Sequence, residues 1–487
     1  MTQRKGFPVI PESPHPTTVI PESRHPTTVI PESRHLTTVI PESRHLTTVI
    51  PESRQRYPGS RDPTGILAAQ TSSGARRIGW FAAIVGRIHF GARLSPELPI
   101  MFILDEPYVS PQLRRAASRL GAPVLDNACA RRELRGVQLV GDDNFARRYF
   151  EQEHPRLYTN SENALGWIRD HLAGSDLPAQ IEVLKDKVRF RELLTDLDPA
   201  YRFEEVRLGD LDAVDPTIFA GPFVAKPAVG FFSLGVQIVE EAGDWPAAAE
   251  RLRAAGERFR GLYPEAVLEL DRFVLEQVIE GDEFAVDAYY DDQGAVTIVN
   301  VLEHPFAHGA DVSDRVYRVR PAVIERTHDV FVQHLDELGR RAGLHDVPIH
   351  VEFRIADDGT VRPIEANPMR FGGWCATDIA SHGWGFCPYT AFLHNKRPDW
   401  SRLCDEQAGW TTALVVADLP ADLDRTRVTA IDYDAFTARF SRPLELRRIE
   451  DPRQPVFAFL FVRVRDDEME QLDEILRADL TKYVRLA

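Results

Sequence analysis

The sequence predicts a mixed α/β and α+β protein of several domains, on three observations. The run "PIMFILDEP" at residues 99–107 has the character of a buried strand. It is followed at 110–125 by a capped helical segment and a second strand, the β–α–β rhythm of a parallel sheet. From residue 220 the pattern changes to strands separated by glycine and acidic turns. Finally, 487 residues, 43% hydrophobic and 27% charged, have a globular balance and exceed what one core usually holds, which suggests roughly two to four domains.

In chain order, residues 1–65 are expected to form an arm. "VIPES" recurs five times, starting at residues 9, 19, 29, 39 and 49. Each copy carries a proline and no apolar periodicity, so the arm reads as extended and disordered. Residues 66–180 are expected to be a small parallel α/β domain that ends in the amphipathic helix "SENALGWIRDHL". Residues 181–398 begin within a predicted helix, "AQIEVLKDKVRFRELLTDL", and continue through strands at 222–240 and 272–304, the helix 325–344 and a hairpin at 350–368. Residues 399–487 form a C-terminal α+β unit with strands at 411–419 and 455–465. Its final helix places Met469, Leu472, Leu476, Leu480 and Tyr483 on one face.

Several classes are disfavoured. A formal charge of −16 argues against a nucleic-acid or anionic-membrane surface. No apolar run is long enough to span a bilayer, and no apolar leader with a cleavage site is seen at the start. The four cysteines lack CxxC spacing, so a reduced, cytoplasmic setting without structural zinc is expected.

The chemistry concentrates in "HVEFRIADDGTVRPIEANP", residues 350–368. A two-residue turn at Asp358-Gly359 would pair Asp357 with Thr360, Glu352 with Glu365 and His350 with Asn367. Alternation puts Ile349, Val351, Phe353 and Ile355 on one face and His350, Glu352 and Arg354 on the other. Two opposed carboxylates repel. With Asn367 beside them they offer three hard oxygen donors, and Mg²⁺ turns the repulsion into coordination while water and phosphate fill its other positions. The plainer reading is a solvated polar face on which the glutamates diverge. A second cluster, "FVAKPAVGFFSLGV" at 223–236, sets Lys226 before a loop with Gly230, Ser233 and Gly235, whose N–H groups can cradle an anion. A third, "VLEQVIEGDEFAVD" at 274–287, carries Glu276 and Glu283 around a turn at Glu280-Gly281. Its plainer reading is an ordinary hairpin.

Taken in order, Lys187 in "KDKVRFRELL", Lys226 in "AKPAVGFFSLGV", "EQVIEGDEFAVD", "HVEFRI" and "IEANPMRFGG" resemble the ATP-grasp superfamily, which includes D-alanine–D-alanine ligase, biotin carboxylase and the amino-acid ligases. The resemblance covers roughly residues 180–395 and implies an ATP-grasp fold after a small α/β domain. It also implies site roles. Lys187 and Lys226 contact phosphates and the adenine region, and the loop 228–235 covers the triphosphate. Glu276 and the backbone near Val278 and Ile279 take adenine, and Glu283 takes the ribose. Glu352, Glu365 and Asn367 hold Mg²⁺, for which Mn²⁺ can substitute. Arg370 meets the substrate carboxylate or its phosphorylated form, at an offset from Asn367 one residue longer than in some relatives. Arg315, Arg318 and His350 are phosphate candidates with an equally good structural reading. Cys375 and Cys387 are assigned no chemistry.

The implied reaction is ADP-forming. A carboxylate from a small molecule or peptide is activated as an acyl phosphate, behind a site that excludes water, and then joined to an amine. Two other readings follow from the arm. In one, the enzyme forms side-chain esters or amides on its own repeats, each of which offers a glutamate (Glu12, Glu22, Glu32, Glu42, Glu52), a serine and threonines. In the other, the chain is a non-catalytic ATP sensor whose arm recruits a partner. The 399–487 unit carries no recognisable site; shaping an acceptor pocket or a homodimer interface are the roles considered for it.

Overall fold

A computed structural model of the chain describes residues 99–230, 235–259, 268–308, 313–420, 423–451 and 454–487. The predicted arm, residues 66–98 of the expected small domain, and Ser233 lie outside these. All described residues fall in one unit, Phe90–Ala487.

The first sheet is parallel, as the β–α–β rhythm predicts. Its strands are β1 (Ile100–Ile103), β2 (Pro123–Leu125), β3 (Gln138–Val140) and β4 (Arg156–Thr159), in the order β3-β2-β1-β4. The helix Pro111–Leu120 connects β1 to β2. Ser110 caps it, accepting from Leu113 N, and left-handed Gly121 ends it.

Next comes a four-stranded antiparallel sheet of β5 (Phe203–Arg207), β6 (Phe223–Val229), β7 (Gln237–Val239) and β8 (Glu269–Gln277), in the order β5-β8-β6-β7. The remaining strands are β9 (Asp282–Tyr290), β10 (Val296–His304), β11 (Val316–Val319), β12 (Pro348–Ile355), β13 (Val361–Pro368), β14 (Trp410–Asp418), β15 (Val428–Ile431), β16 (Pro443–Arg448), β17 (Val456–Arg465) and β18 (Val484–Leu486). Eight of them form one sheet, β13-β12-β9-β10-β11-β14-β17-β16, while β15 and β18 pair separately. The large sheet therefore runs straight across the expected boundary at 398/399. Among the described residues no helix is long and apolar enough to cross a membrane.

Four expectations about elements are corrected. The segment 274–287 is not a hairpin: β8 and β9 belong to different sheets, and residues 278–281 cross between them. Gly281 makes the crossing with φ 114°, and a Cβ there would lie 2.2 Å from the Ile355 carbonyl oxygen. The helix expected over 179–197 is two helices, Leu177–Lys185 and Lys187–Leu194, broken at Asp186. The final helix also divides, into Glu470–Leu476 and a turn at Leu480–Tyr483. Asp479 starts that turn by accepting from Thr481 N at 2.8 Å. Leu472, Leu476, Leu480 and Tyr483 stay buried in one cluster across the break, so the apolar spacing survives without a continuous helix.

The β12–β13 connection is the fourth. Ala356 N donates to Thr360 O and Gly359 N to Ala356 O, each at 2.9 Å. The loop is therefore three residues, Asp357-Asp358-Gly359, with Gly359 left-handed at φ 86°. This would slip the register by one, but a bulge restores it. Phe353 faces Pro363, Ile364 is the extra residue, and Glu352 again faces Glu365, with His350 opposite Asn367. Proline suits that position because it has no N–H to give to a ladder.

One core cluster joins Met101, Ile103 and Leu157 of the parallel sheet to Phe284, Val286, Ile349, Val351 and Phe353 of the large sheet. That continuous packing ties the parallel sheet and the apolar face of β12 into one core.

Candidate functional site

The β12–β13 register sets Glu352 directly against Glu365. Asn367, 4% exposed, donates from Nδ2 to Glu365 Oε1 at 3.1 Å in the assigned amide orientation. His350 is held by Asp287, with Nδ1 2.8 Å from Oδ1, and its Nε2 lies 3.8 Å from Glu352 Oε1. Burial and the facing Glu365 push the Glu352 carboxyl well above its ordinary range. Burial also opposes charge on Glu365, but Lys187, Lys185 and Lys226 outweigh it and hold that carboxyl well below the ordinary range. Two acids so placed call for positive charge between them. A divalent cation satisfies the same demand, and the hard oxygen donors suit Mg²⁺. Among the described residues no group of three His, Cys, Asp or Glu is arranged to hold a metal unaided. The two carboxylates and the Asn367 carboxamide would supply up to three oxygen ligands, leaving a cation's other positions to phosphate and water.

The break at Asp186 arranges the cations. Its side chain accepts from Val188 N and Arg189 N, capping the second helix, and its other oxygen accepts from Arg272 at 2.8 Å. In one continuous helix, residues two apart point about 200° apart. Here both flanking lysines turn inward: Lys187 meets Glu365 at 3.0 Å, and Lys185 pairs with Glu162 and donates to Gly230 O at 3.1 Å. Lys226, on β6, pairs with Glu276. Arg191 pairs with the same Glu276 and donates to the carbonyls of Pro363 and Ile364 at 2.7 and 2.8 Å. The bulge that corrects the hairpin register thus also supplies two acceptors that lock the hairpin onto the lysine-bearing helix.

Of the segment expected to meet adenine and ribose, several groups already have partners. Glu276, 3% exposed, lies between Arg191 and Lys226, which overcome its burial and lower it to about 2. Val278 N donates to Pro222 O, and Ile279 O accepts from Arg354. Glu283 accepts from Arg354 Nη2 and contacts His304 Nδ1, each at 2.9 Å. Arg370 pairs with Glu162 at 2.9 Å. Gly235 is left-handed, φ 74°, packed on Pro227. Arg315 binds Asp418 and the carbonyls of Ile475 and Ala478, tying β14 to the C-terminal helix region, and Arg318 binds Glu303, tying β11 to β10.

Lys185, Arg191, Glu162 and Asp287 are central here and absent from the sequence reading. "LKDKV" held a usable signal, since an aspartate between two lysines is a good N-cap. Glu162 and Asp287 lie far from their partners in the chain and had none.

Residues 219–378 match the model of the ATP-grasp domain family. No curated protein matches the sequence. Solved structures share the fold. An L-amino acid ligase from Bacillus licheniformis aligns with TM-score 0.59 at 18% identity, covering 80% of this chain and 98% of that one. N5-carboxyaminoimidazole ribonucleotide synthetase from Thermotoga maritima gives 0.54 at 15%, covering 80% and 99%. A biotin carboxylase–β-γ-ATP complex from Campylobacter jejuni gives 0.53 at 10%, covering 80% and 92%. Residues 219–378 are thus an ATP-grasp domain, set in a fold that the chain shares with these ligase and carboxylase structures.

Proposed function

We propose that the protein is an ATP-dependent, ADP-forming ligase that joins a carboxylate to an amine, on amino-acid or peptide substrates. The observation that carries this reading is the opposed pair Glu352–Glu365 with Asn367 beside it, 3.0 Å from a buried lysine, Lys187. The similarity to an L-amino acid ligase supports the substrate class.

In this reading Glu352, Glu365 and Asn367 hold Mg²⁺. When bound, the ion supplies charge compensation between phosphate oxygens and an incoming carboxylate. Lys187 and Lys226 neutralise phosphate charge once nucleotide displaces their carboxylate partners. Arg370 holds the anionic group of the co-substrate. Exclusion of water would let an amine, rather than hydroxide, attack the acyl carbon and displace phosphate.

Incubation with ATP, Mg²⁺ and amino-acid pairs is expected to release ADP and phosphate, with no AMP. Tight ATP binding without phosphate release in the presence of any carboxylate would remove the ligase reading in favour of a sensor. The five in-register glutamates of the arm motivate a second reading, self-modification. Intact mass after ATP and Mg²⁺ would then change by one water lost per ester, or by one amine gained less one water per glutamate amidated. An active enzyme of unchanged mass rejects it.

A further inference from the structure

Glu162 comes from the turn after β4, ahead of the 219–378 segment, and its carboxylate serves two cations. Oε1 accepts from Arg370 Nη2 at 2.9 Å, and Oε2 pairs with Lys185 Nζ. The three side chains are 12%, 14% and 6% exposed. Lys185 Nζ also donates to Gly230 O at 3.1 Å, at the end of β6. One carboxylate is thus shared by two cations, and Glu365 is a further acid acting on both.

The surroundings hold the triad still. Thr159 N donates to Met369 O at 2.9 Å and Phe371 N to the Tyr158 hydroxyl at 3.3 Å, so the residues on either side of Arg370 are pinned to β4. Met369 is left-handed, φ 69°. The turn bearing Glu162 is fixed by Leu165 N on Glu162 O at 3.0 Å and by Asn163 N on Ser161 Oγ at 3.2 Å. Asn160 Nδ2 donates to the carbonyls of Asp105 and Tyr108 at 2.7 and 2.8 Å. Ligands of open α/β sheets bind beyond the carboxyl ends of parallel strands, and Glu162 projects from that end of β4.

We propose that Glu162 is a positioning residue: it aims Arg370 at the anionic group of the co-substrate and, through Lys185 on the Gly230 carbonyl, ties that subsite to the nucleotide-phosphate end of β6. This rests on the reading of Arg370 under Proposed function. With Nη2 on Glu162 at 2.9 Å and Nη1 on the Phe371 carbonyl at 3.1 Å, the guanidinium is held in one orientation, and its remaining donors lose less rotamer freedom on binding. Removing the negative charge would, on charge alone, favour an anion; what is lost is geometry. A split follows, with turnover falling while affinity for the carboxylate does not.

The test is Glu162→Gln in the full chain, with Glu162→Asp beside it to keep the charge. For Glu162→Gln, phosphate release should fall by about tenfold or more in kcat, with KM for the carboxylate within about threefold of wild type. The melting temperature should fall by several degrees at most, which leaves the variant folded at the assay temperature. In hydrogen exchange with ADP and Mg²⁺ bound, peptides covering 226–230 and 369–373 should both lose protection, while β17 stays unchanged. Glu162→Asp should recover part of kcat. Wild-type kcat in Glu162→Gln overturns the proposal, and so does a loss of kcat together with ADP binding and protection throughout. If the wild type releases no phosphate, the ligase reading fails and exchange alone judges the triad: unchanged protection of both peptides in Glu162→Gln would overturn it.

Discussion

Glu276 lies 3% exposed between Arg191 and Lys226, and its carboxyl falls from an ordinary 4.5 to about 2. A group whose folded value is depressed adds stability above its unfolded value and loses it as pH falls through the folded one. Glu276 should therefore contribute on the order of 3 kcal/mol above pH 4.5, declining towards pH 2. Glu276→Gln leaves two buried cations without a countercharge and should cost about 3–5 kcal/mol in urea unfolding, with a flatter acid transition. An unchanged acid profile would show the pair to be solvated. Glu365→Gln, by contrast, should leave nucleotide binding measurable and reduce phosphate release by at least about a hundredfold, because it removes a charge on which phosphoryl transfer depends more than nucleotide binding does. At this scale strand alternation made the Glu352–Glu365 pairing and the neighbouring Asn367 legible, although the two-residue turn expected for it is not the one formed. The sequence could not carry Glu162 or Asp287, whose roles depend on contacts across 208 and 63 residues.

The elements show how a wrong local reading can still give the right pairing. The turn was expected to have two residues and has three; the bulge at Ile364 cancels the difference, so Glu352 still meets Glu365. The apolar pattern of β12 constrained the outcome, because a slip of one would have turned Ile349, Val351 and Phe353 out of the core. The break at Asp186 was harder to see because amphipathic periodicity continues across it; only the capping chemistry distinguishes one helix from two. Asp186→Ala should cost about 1 kcal/mol for the lost cap, plus the Arg272 pair. It should also weaken ADP·Mg²⁺ binding in calorimetry, since Lys185 and Lys187 lose the bend that turns both inward. Equal affinity in the variant would show that the second helix holds its place without the cap. Gly281→Ala meets the Ile355 carbonyl at 2.2 Å and a φ of 114°, so it should destabilise by about 3 kcal/mol or more, read by thermal unfolding.

Across the whole molecule, the site gathers residues from the parallel sheet, the four-stranded sheet and the large sheet: Glu162 after β4, Lys226 on β6, and Glu352 and Glu365 on β12 and β13. Each cation expected to meet a ligand is already matched to an acid, Lys187 to Glu365, Lys226 to Glu276 and Arg370 to Glu162. Such a site is stable without nucleotide, and a bound nucleotide must exchange these pairs for its own phosphates. The net gain on binding is then smaller than the number of cations suggests, and it depends on a divalent ion to relieve the Glu352–Glu365 repulsion. Ligand that binds only the folded state adds about 2.7 kcal/mol at a hundredfold excess over Kd. ADP with Mg²⁺ should therefore raise the unfolding temperature of the full chain by several degrees, whereas ADP with a chelator should give a markedly smaller rise at the same concentration. In Glu365→Gln the difference between the two conditions should largely vanish, because the opposed acids that need the ion are no longer a pair. An equal rise with and without the chelator in the wild type would mean that the lysines alone bind the nucleotide, and that the two glutamates face each other for a reason other than a metal.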